Sequence, residues 1–208
     1  MRVWRGPFRG ARIVMNPRCS LRKVFGLYEH ELNGWLELAL RRVTRVIDVG
    51  ANDGYFTFGC AAAFRRLGVQ GEIIGFEPEG RFVHDLRRSV RRQDPGVRFD
   101  VVQALVSAEV GRGVTTLDMV SATDRESTLI KIDVEGAEMD VLAGATSWMN
   151  PSNFFLIEVH KHEFLDPLRQ TFVERGLSLR QVDQRPLPLL RSENRATANW
   201  WLVSDLGP

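Results

Sequence analysis

Four ionisable side chains, Asp133, Glu135, Glu158 and His160, stand where two apolar runs give way to charge, and they are the residues best suited to acid and base chemistry. From Thr128 to Gly136 the chain alternates strictly: Ile130, Ile132 and Val134 face one way, and Lys131, Asp133 and Glu135 the other. Three charges on one face of a central strand are costly unless paired or used. The run Phe154 to His160 repeats the switch, with Glu158 and His160 on one face. An imidazole titrates near neutrality, so His160 is the first candidate for a base, with Asp133 as the alternative. Glu158 or Glu135 could orient it or bind acceptor hydroxyls. A self-compensated cluster in which Lys131 neutralises one carboxylate is the competing structural reading.

A second group lies upstream. Val46 to Gly54 reads as a buried strand running into a glycine turn, with Asp48 at the strand end and Gly50, Asn52, Asp53 and Gly54 in the turn. A strand, a glycine turn and a helix make a nucleotide-type site at the carboxyl edge of a sheet. Asn52 stands where a dinucleotide fingerprint needs its second glycine. The two carboxylates, with no cation beside them in the sequence, disfavour a pyrophosphate and favour a ligand offering an ammonium group and ribose hydroxyls. S-adenosylmethionine (SAM) offers both. Glu77 closes the next apolar run, Glu72 to Pro78, where an acid can accept from the ribose; an acid at the start of the helix that follows is the competing reading. Ala104 falls near the end of a third run, Val97 to Val106, where an adenine could rest.

The elements that must hold these groups follow from periodicity. Strands are predicted at Val46–Val49, Glu72–Pro78, Val97–Val106, Thr128–Gly136 and Phe154–His160, with helices between them, so the class is α/β with a largely parallel sheet. Asp133, Glu135, Glu158 and His160 should then converge beside the Asp48 turn, because ligands bind outside the carboxyl ends of parallel strands. A helix from about Glu29 to Val43 leads into the first strand; spacing makes Glu29 first of all the acid at that helix's start, and a place for Gly26 to Glu29 over the ligand mouth is the alternative. A helix from about Pro167 to Arg175, closed by Gly176, precedes two terminal strands, Leu177–Val182 and Asn199–Val203. The loop from Gln184 to Thr197 and the arm of residues 1–28 are expected to shape the acceptor pocket.

Bulk properties bound the rest. At 208 residues and 44% apolar content, one domain over 1–208 is expected, an arm and helix (1–44) followed by the core (45–208). No apolar run approaches a membrane span, and the basic start lacks the apolar segment of a secretory signal, so a cytoplasmic location is the default. Cys19 and Cys60 lack metal-ligand spacing, and Cys60 belongs to an apolar helix. Arginine supplies 25 of 28 cations, yet 26 acids nearly balance them, so nucleic acid is not an expected partner.

Together the motifs resemble the FkbM family of SAM-dependent methyltransferases. The resemblance rests on Val46 to Gly54, on Gly75-Phe-Glu-Pro78, and above all on Ile130-Lys-Ile-Asp-Val-Glu-Gly-Ala-Glu138, followed by Leu142-Ala-Gly144 and Ile157-Glu-Val-His160. Gly26 to Glu29 and Thr116-Leu-Asp118 fit as well. It implies a class I, Rossmann-like fold, a seven-stranded mostly parallel sheet with the last strand antiparallel and helices on both faces. It also implies SAM bound by Asp48, Gly50, Asn52, Gly54 and Glu77, and O-methylation of a sugar, polyketide or other small-molecule hydroxyl. The link from Leu105 to Thr116 is shorter than usual for the family, which bears on the local sheet. No resident metal is assigned, although the four ionisable side chains could hold a divalent ion. An NAD-linked oxidoreductase and a non-catalytic SAM-binding protein are the alternatives.

Overall fold

The computed structural model describes residues 1–14, 21–93, 96–122, 124–183 and 199–207. Cys19, part of the Asp94–Gly96 turn, and the loop from Gln184 to Thr197 lie outside these residues. A short helix α1 (Leu21–Val24) and a 3-10 turn (His30–Leu32) lead to α2 (Asn33–Ala39), then β1 (Arg45–Val49) and α3 (Tyr55–Leu67). Next come β2 (Glu72–Phe76), α4 (Gly80–Val90), β3 (Arg98–Val102), and the short β4 (Leu105–Val106) and β5 (Val114–Thr115). The remainder is β6 (Thr128–Ile132), α5 (Glu138–Ala143), β7 (Phe154–Val159), α6 (Leu165–Val173), β8 (Leu179–Val182) and β9 (Trp200–Ser204).

Seven strands form one sheet in the order β3-β2-β1-β6-β7-β9-β8. Strands β3 through β7 run parallel, and β9 is antiparallel to both neighbours. The expected class I arrangement is therefore present. Alternation divides the buried side chains between two faces. Val46, Ile73, Leu129 and Leu156 pack beneath α2, α3 and α4 and against the N-terminal arm. Ile47, Ile74, Ile130 and Ile157 pack against α5 and α6. Cys60 is fully buried in the first layer, as a core residue should be.

Two expectations change in detail. The third run is not one strand: β3 ends at Val102, and β4 leaves the main sheet to pair with β5 in a separate two-stranded ribbon. The short link there spans only this ribbon. The helix foreseen from Glu29 to Val43 is also shorter, because the chain at Glu29 is left-handed (φ 48°) and α2 stops at Ala39.

The register decides what meets at the site. In the parallel ladder Asp48 pairs with Gly75 on one side and with Lys131 on the other. The sheet's order turns at β1, with β2 on one side and the later β6 on the other, so the crevice for a ligand opens at the ends of β1 and β6.

Candidate active site

A cavity of about 1050 Å³ opens at these strand ends, roomy enough for a cofactor and part of a second substrate. Its walls include Gly50, Asn52 and Glu77 at one end, and Asp133, Glu135, Glu158 and His160 at the other. Ala104, Phe76 and Val106 supply an apolar side, and Arg22, Lys23 and Tyr28 close over from the N-terminal arm. Tyr28 thus takes the position given by the alternative, and not the preferred, reading of the Gly26–Glu29 segment.

At the first end the backbone is committed to close approach. Gly50 has φ +82°, and a Cβ there would sit 1.9 Å from the Asp133 carbonyl oxygen, so no other residue fits. The Glu77 carboxylate accepts from the Asn52 N–H at 2.8 Å with one oxygen and from the Glu79 N–H at 2.9 Å with the other. These bonds fix the carboxylate, and each oxygen keeps acceptor capacity for a ligand hydroxyl.

Asp48 and Gly54 are placed differently from the expectation. Neither lines the cavity. Asp48 is fully buried (0% exposed) beneath the turn, where Thr57 donates to Oδ2 and Lys131 Nζ lies 3.3 Å from Oδ1. Burial raises its pKa, and Lys131 and Thr57 offset that only in part. Gly54 precedes α3 in a left-handed conformation with Phe58 and Leu86 packed against it, which makes it a packing position.

The supposed lack of cations beside the two carboxylates is overturned by tertiary pairing. Lys131 Nζ serves Asp48, comes within 3.0 Å of Asp133 Oδ2, and donates to the Gly50 carbonyl at 3.1 Å. Burial opposes its charge, but Asp133 and Asp48 outweigh that and hold its pKa far above the ordinary lysine value. Asp53 is met by Lys23 of the arm at 2.6 Å. Unopposed carboxylate charge therefore does not exclude a phosphate here, because these cations arrive from distant parts of the chain. The carboxylate held in place against the cavity at this end is Glu77.

At the second end Asp133, Glu158 and His160 converge, each with a polar atom within 4.8 Å of the others. His160 Nδ1 lies 2.7 Å from Glu138 Oε1, and its Nε2 is 3.8 Å from Asp133 Oδ1. A carboxylate at Nδ1 selects the tautomer with Nδ1–H, which leaves Nε2 facing the cluster. Burial would lower the His160 pKa, but the bond to Glu138 and the charges of Glu158, Glu138 and Asp133 raise it above the usual value. Burial likewise pushes Asp133 up, while Lys131 and His160 pull it below the usual carboxylate range. Asn199 donates to Glu158 Oε1 at 3.0 Å. Tyr28 stays a neutral phenol, its pKa raised by burial and by Glu29 and Glu158.

Glu135 does not join this group. The strand ends at Ile132, so the alternation stops, and Glu135 sits exposed in a left-handed turn (φ 49°) on the cavity rim. The orienting carboxylate is instead Glu138, fully buried at the start of α5, where it also accepts from the Gly136 N–H at 2.9 Å. Sequence reasoning recorded Glu138 only as part of a motif. An acid opening a helix at a parallel strand's end was the available signal. The spacing of Asp133, Glu158 and His160 is one a divalent ion could bridge, yet Lys131 already places positive charge against Asp133.

Comparison with known proteins adds to this geometry. Residues 104–179 match the family model described as "Methyltransferase FkbM domain". No curated protein matches the chain. Among solved structures, a methyltransferase FkbM from Methylobacillus flagellatus KT superposes with TM-score 0.61 at 18% identity, over 79% of this chain and 44% of that one. The chain thus spans less than half the length of that relative. Precorrin-6y C5,15-methyltransferase from Geobacter metallireducens GS-15 gives TM-score 0.53 at 12% identity, over 92% and 93% of the two chains. P. horikoshii TYW2 in complex with MeSAdo gives TM-score 0.52 at 11% identity, over 93% of this chain and 63% of that one. The family match contains Asp133, Glu138, Glu158 and His160, while Gly50 and Glu77 lie before it and share only the fold. Residues 104–179 thus resemble the FkbM methyltransferase domain, and the chain as a whole takes the class I methyltransferase fold.

Proposed function

We propose that the chain is a SAM-dependent methyltransferase acting on a hydroxyl of a sugar, polyketide or other small-molecule acceptor. The observation that carries this reading is one cavity with a fixed ribose-type acceptor, Glu77, at one end and an oriented imidazole, His160, at the other. SAM bound in it supplies an electrophilic methyl group and departs as the neutral thioether.

The roles of the side chains follow from their placement. Glu77 takes the ribose hydroxyls, Gly50 and Asn52 give backbone contacts, and Ala104 with Phe76 forms the adenine wall. Asp48 and Gly54 act through position: Asp48 holds Lys131, and Lys131 holds the Gly50 carbonyl. Cavity walls rich in carboxylate favour a cation over a neutral donor. His160 Nε2 accepts the hydroxyl proton, with Glu138 keeping the ring in place. Asp133 and Glu158 bind acceptor hydroxyls, and Asp133 is the alternative base. Much of the rate then comes from alignment of acceptor oxygen and methyl carbon in a fixed cavity. No metal is assigned, because Lys131 supplies the charge that an ion would bring to Asp133, and turnover should be indifferent to a chelator.

Calorimetry with SAM and with NAD, each alone, tests the donor, and labelled SAM with a panel of sugars, lipids and small alcohols tests transfer. Uptake of NAD in place of SAM would favour an oxidoreductase. SAM binding without transfer to any acceptor would favour a non-catalytic member of the fold. If His160→Ala and Asp133→Ala both keep full turnover while SAM still binds, the proton-transfer assignment is wrong.

A further inference from the structure

The N-terminal arm has a charge and apolar pattern of which, among the described residues, the cavity takes only Leu21, Arg22, Lys23 and Tyr28. Residues 1–28 hold seven of the chain's 28 cations and none of its 26 acids. Arg9 pairs with Glu37 at 2.8 Å, and Lys23 with Asp53. Arg2, Arg5 and Arg12 are exposed and have no carboxylate partner among the described residues.

The arm's backbone explains why these arginines share a surface with large apolar side chains. Arg2 and Arg12 face each other across an antiparallel bridge, and Val3, Ala11 and Ile13 point into the core. Alternation then turns Arg2, Trp4, Arg12 and Val14 outward. Trp4 meets Phe25 edge to face at 5.6 Å, and Phe25 lies one helical turn beyond Leu21. Trp4, Leu21 and Phe25 are 66%, 60% and 42% exposed. A clustered apolar surface with exposed cations on the same face marks a binding face.

We propose that this arm docks the protein on an anionic lipid surface. Guanidinium groups meet headgroup phosphates, and Trp4 takes the headgroup level that indoles favour. Leu21 and Phe25 gain from the acyl boundary. A nucleic acid would match the arginines but would give the aliphatic side chains nothing to enter. Leu21 and Arg22 also border the cavity, so docking brings its mouth to the bilayer. The inference stands independently of methyl transfer.

The test uses the full chain with vesicles of phosphatidylcholine alone and with roughly one-third phosphatidylglycerol, read by co-sedimentation and tryptophan emission. Binding is expected only to the anionic vesicles, with loss at high salt and a blue shift that Trp4→Ser removes. Trp4→Ser should weaken partitioning about tenfold. Replacing Arg2 and Arg12 together by Ser should weaken it about thirtyfold, since each cation near such a surface contributes about fivefold. Matched thermal denaturation of each variant shows that the fold is intact, and either variant suffices should the other misfold. Failure to bind anionic vesicles at low salt, retention unchanged by both variants, or binding of single-stranded RNA without any response to vesicles would overturn the proposal.

Discussion

Replacing Lys131 with Met probes the charge balance beneath the site. The methionine keeps the length of the side chain but leaves Asp48, fully buried, with only the Thr57 hydroxyl, and removes the bond that steadies the Gly50 carbonyl. Removing one partner of a buried ion pair costs roughly 3–5 kcal/mol. Against a total stability on the order of 5–15 kcal/mol, that is a large fraction, and it lowers the melting temperature of a chain this size by on the order of 10 °C. Asp133 is partly open to the cavity and recovers some hydration, so most of the penalty falls on Asp48. The sign with pH follows. A carboxylate whose folded pKa is raised penalises the fold above that pKa, and the penalty disappears below its unfolded value near 3.9. The deficit of Lys131→Met should therefore shrink as pH falls from 7 towards 4. Urea denaturation of the wild type, Lys131→Met, Asp48→Asn and the double variant forms a cycle. The double variant should be more stable than Lys131→Met alone, with a coupling above about 1 kcal/mol. A loss below about 1 kcal/mol for Lys131→Met, or strict additivity in the double variant, would refute the claim that Asp48 is held by this lysine.

Three further outcomes are expected. Glu138→Gln removes the charge that raises the His160 pKa, so the acid limb of kcat/KM should move to lower pH while the plateau falls by roughly tenfold or more and SAM affinity stays level; a limb that does not move would show that Glu138 has no hold on the proton of His160. Gly50→Ala drives a Cβ against the Asp133 carbonyl and forces a side chain into a left-handed backbone, so folded yield or SAM affinity should collapse, and calorimetry on the purified variant reads this directly. Glu72 faces burial that would raise its pKa, but bonds from Arg45 and Arg98 pull it below the usual range. Its contribution is present above the unfolded glutamate pKa and is lost as pH falls through the folded one, so Glu72→Gln should be less stable than wild type at pH 7, with the gap closing below about pH 4.

The class of fold was legible because its signals are local. Apolar runs such as Val46–Val49 and Phe154–Val159 end in turn residues and ionisable groups, and a chain that repeats this with helices between has few alternatives to a parallel sheet. Motif spacing carries the FkbM resemblance, and strand polarity alone puts Asp133, Glu158, His160 and Glu77 at one edge of the sheet. Cys60 and the two terminal strands were legible for the same reason.

Pairing across the chain was not written in any window of residues. Lys131 reaches Asp48 because β6 lies next to β1 in one particular register, and Lys23 reaches Asp53 because the arm folds back over the turn. Those two contacts offset charges that stand unopposed along the sequence. Glu138, not Glu135, orients His160 because the strand stops at Ile132 and the chain turns left-handed at Glu135, which swings the nearer acid to the rim and the later one inward. Residue type and period name the groups that can do chemistry, since both are properties of neighbouring bonds. Which of them meet depends on distances of a few ångströms between segments far apart in sequence, and only the packed sheet sets those.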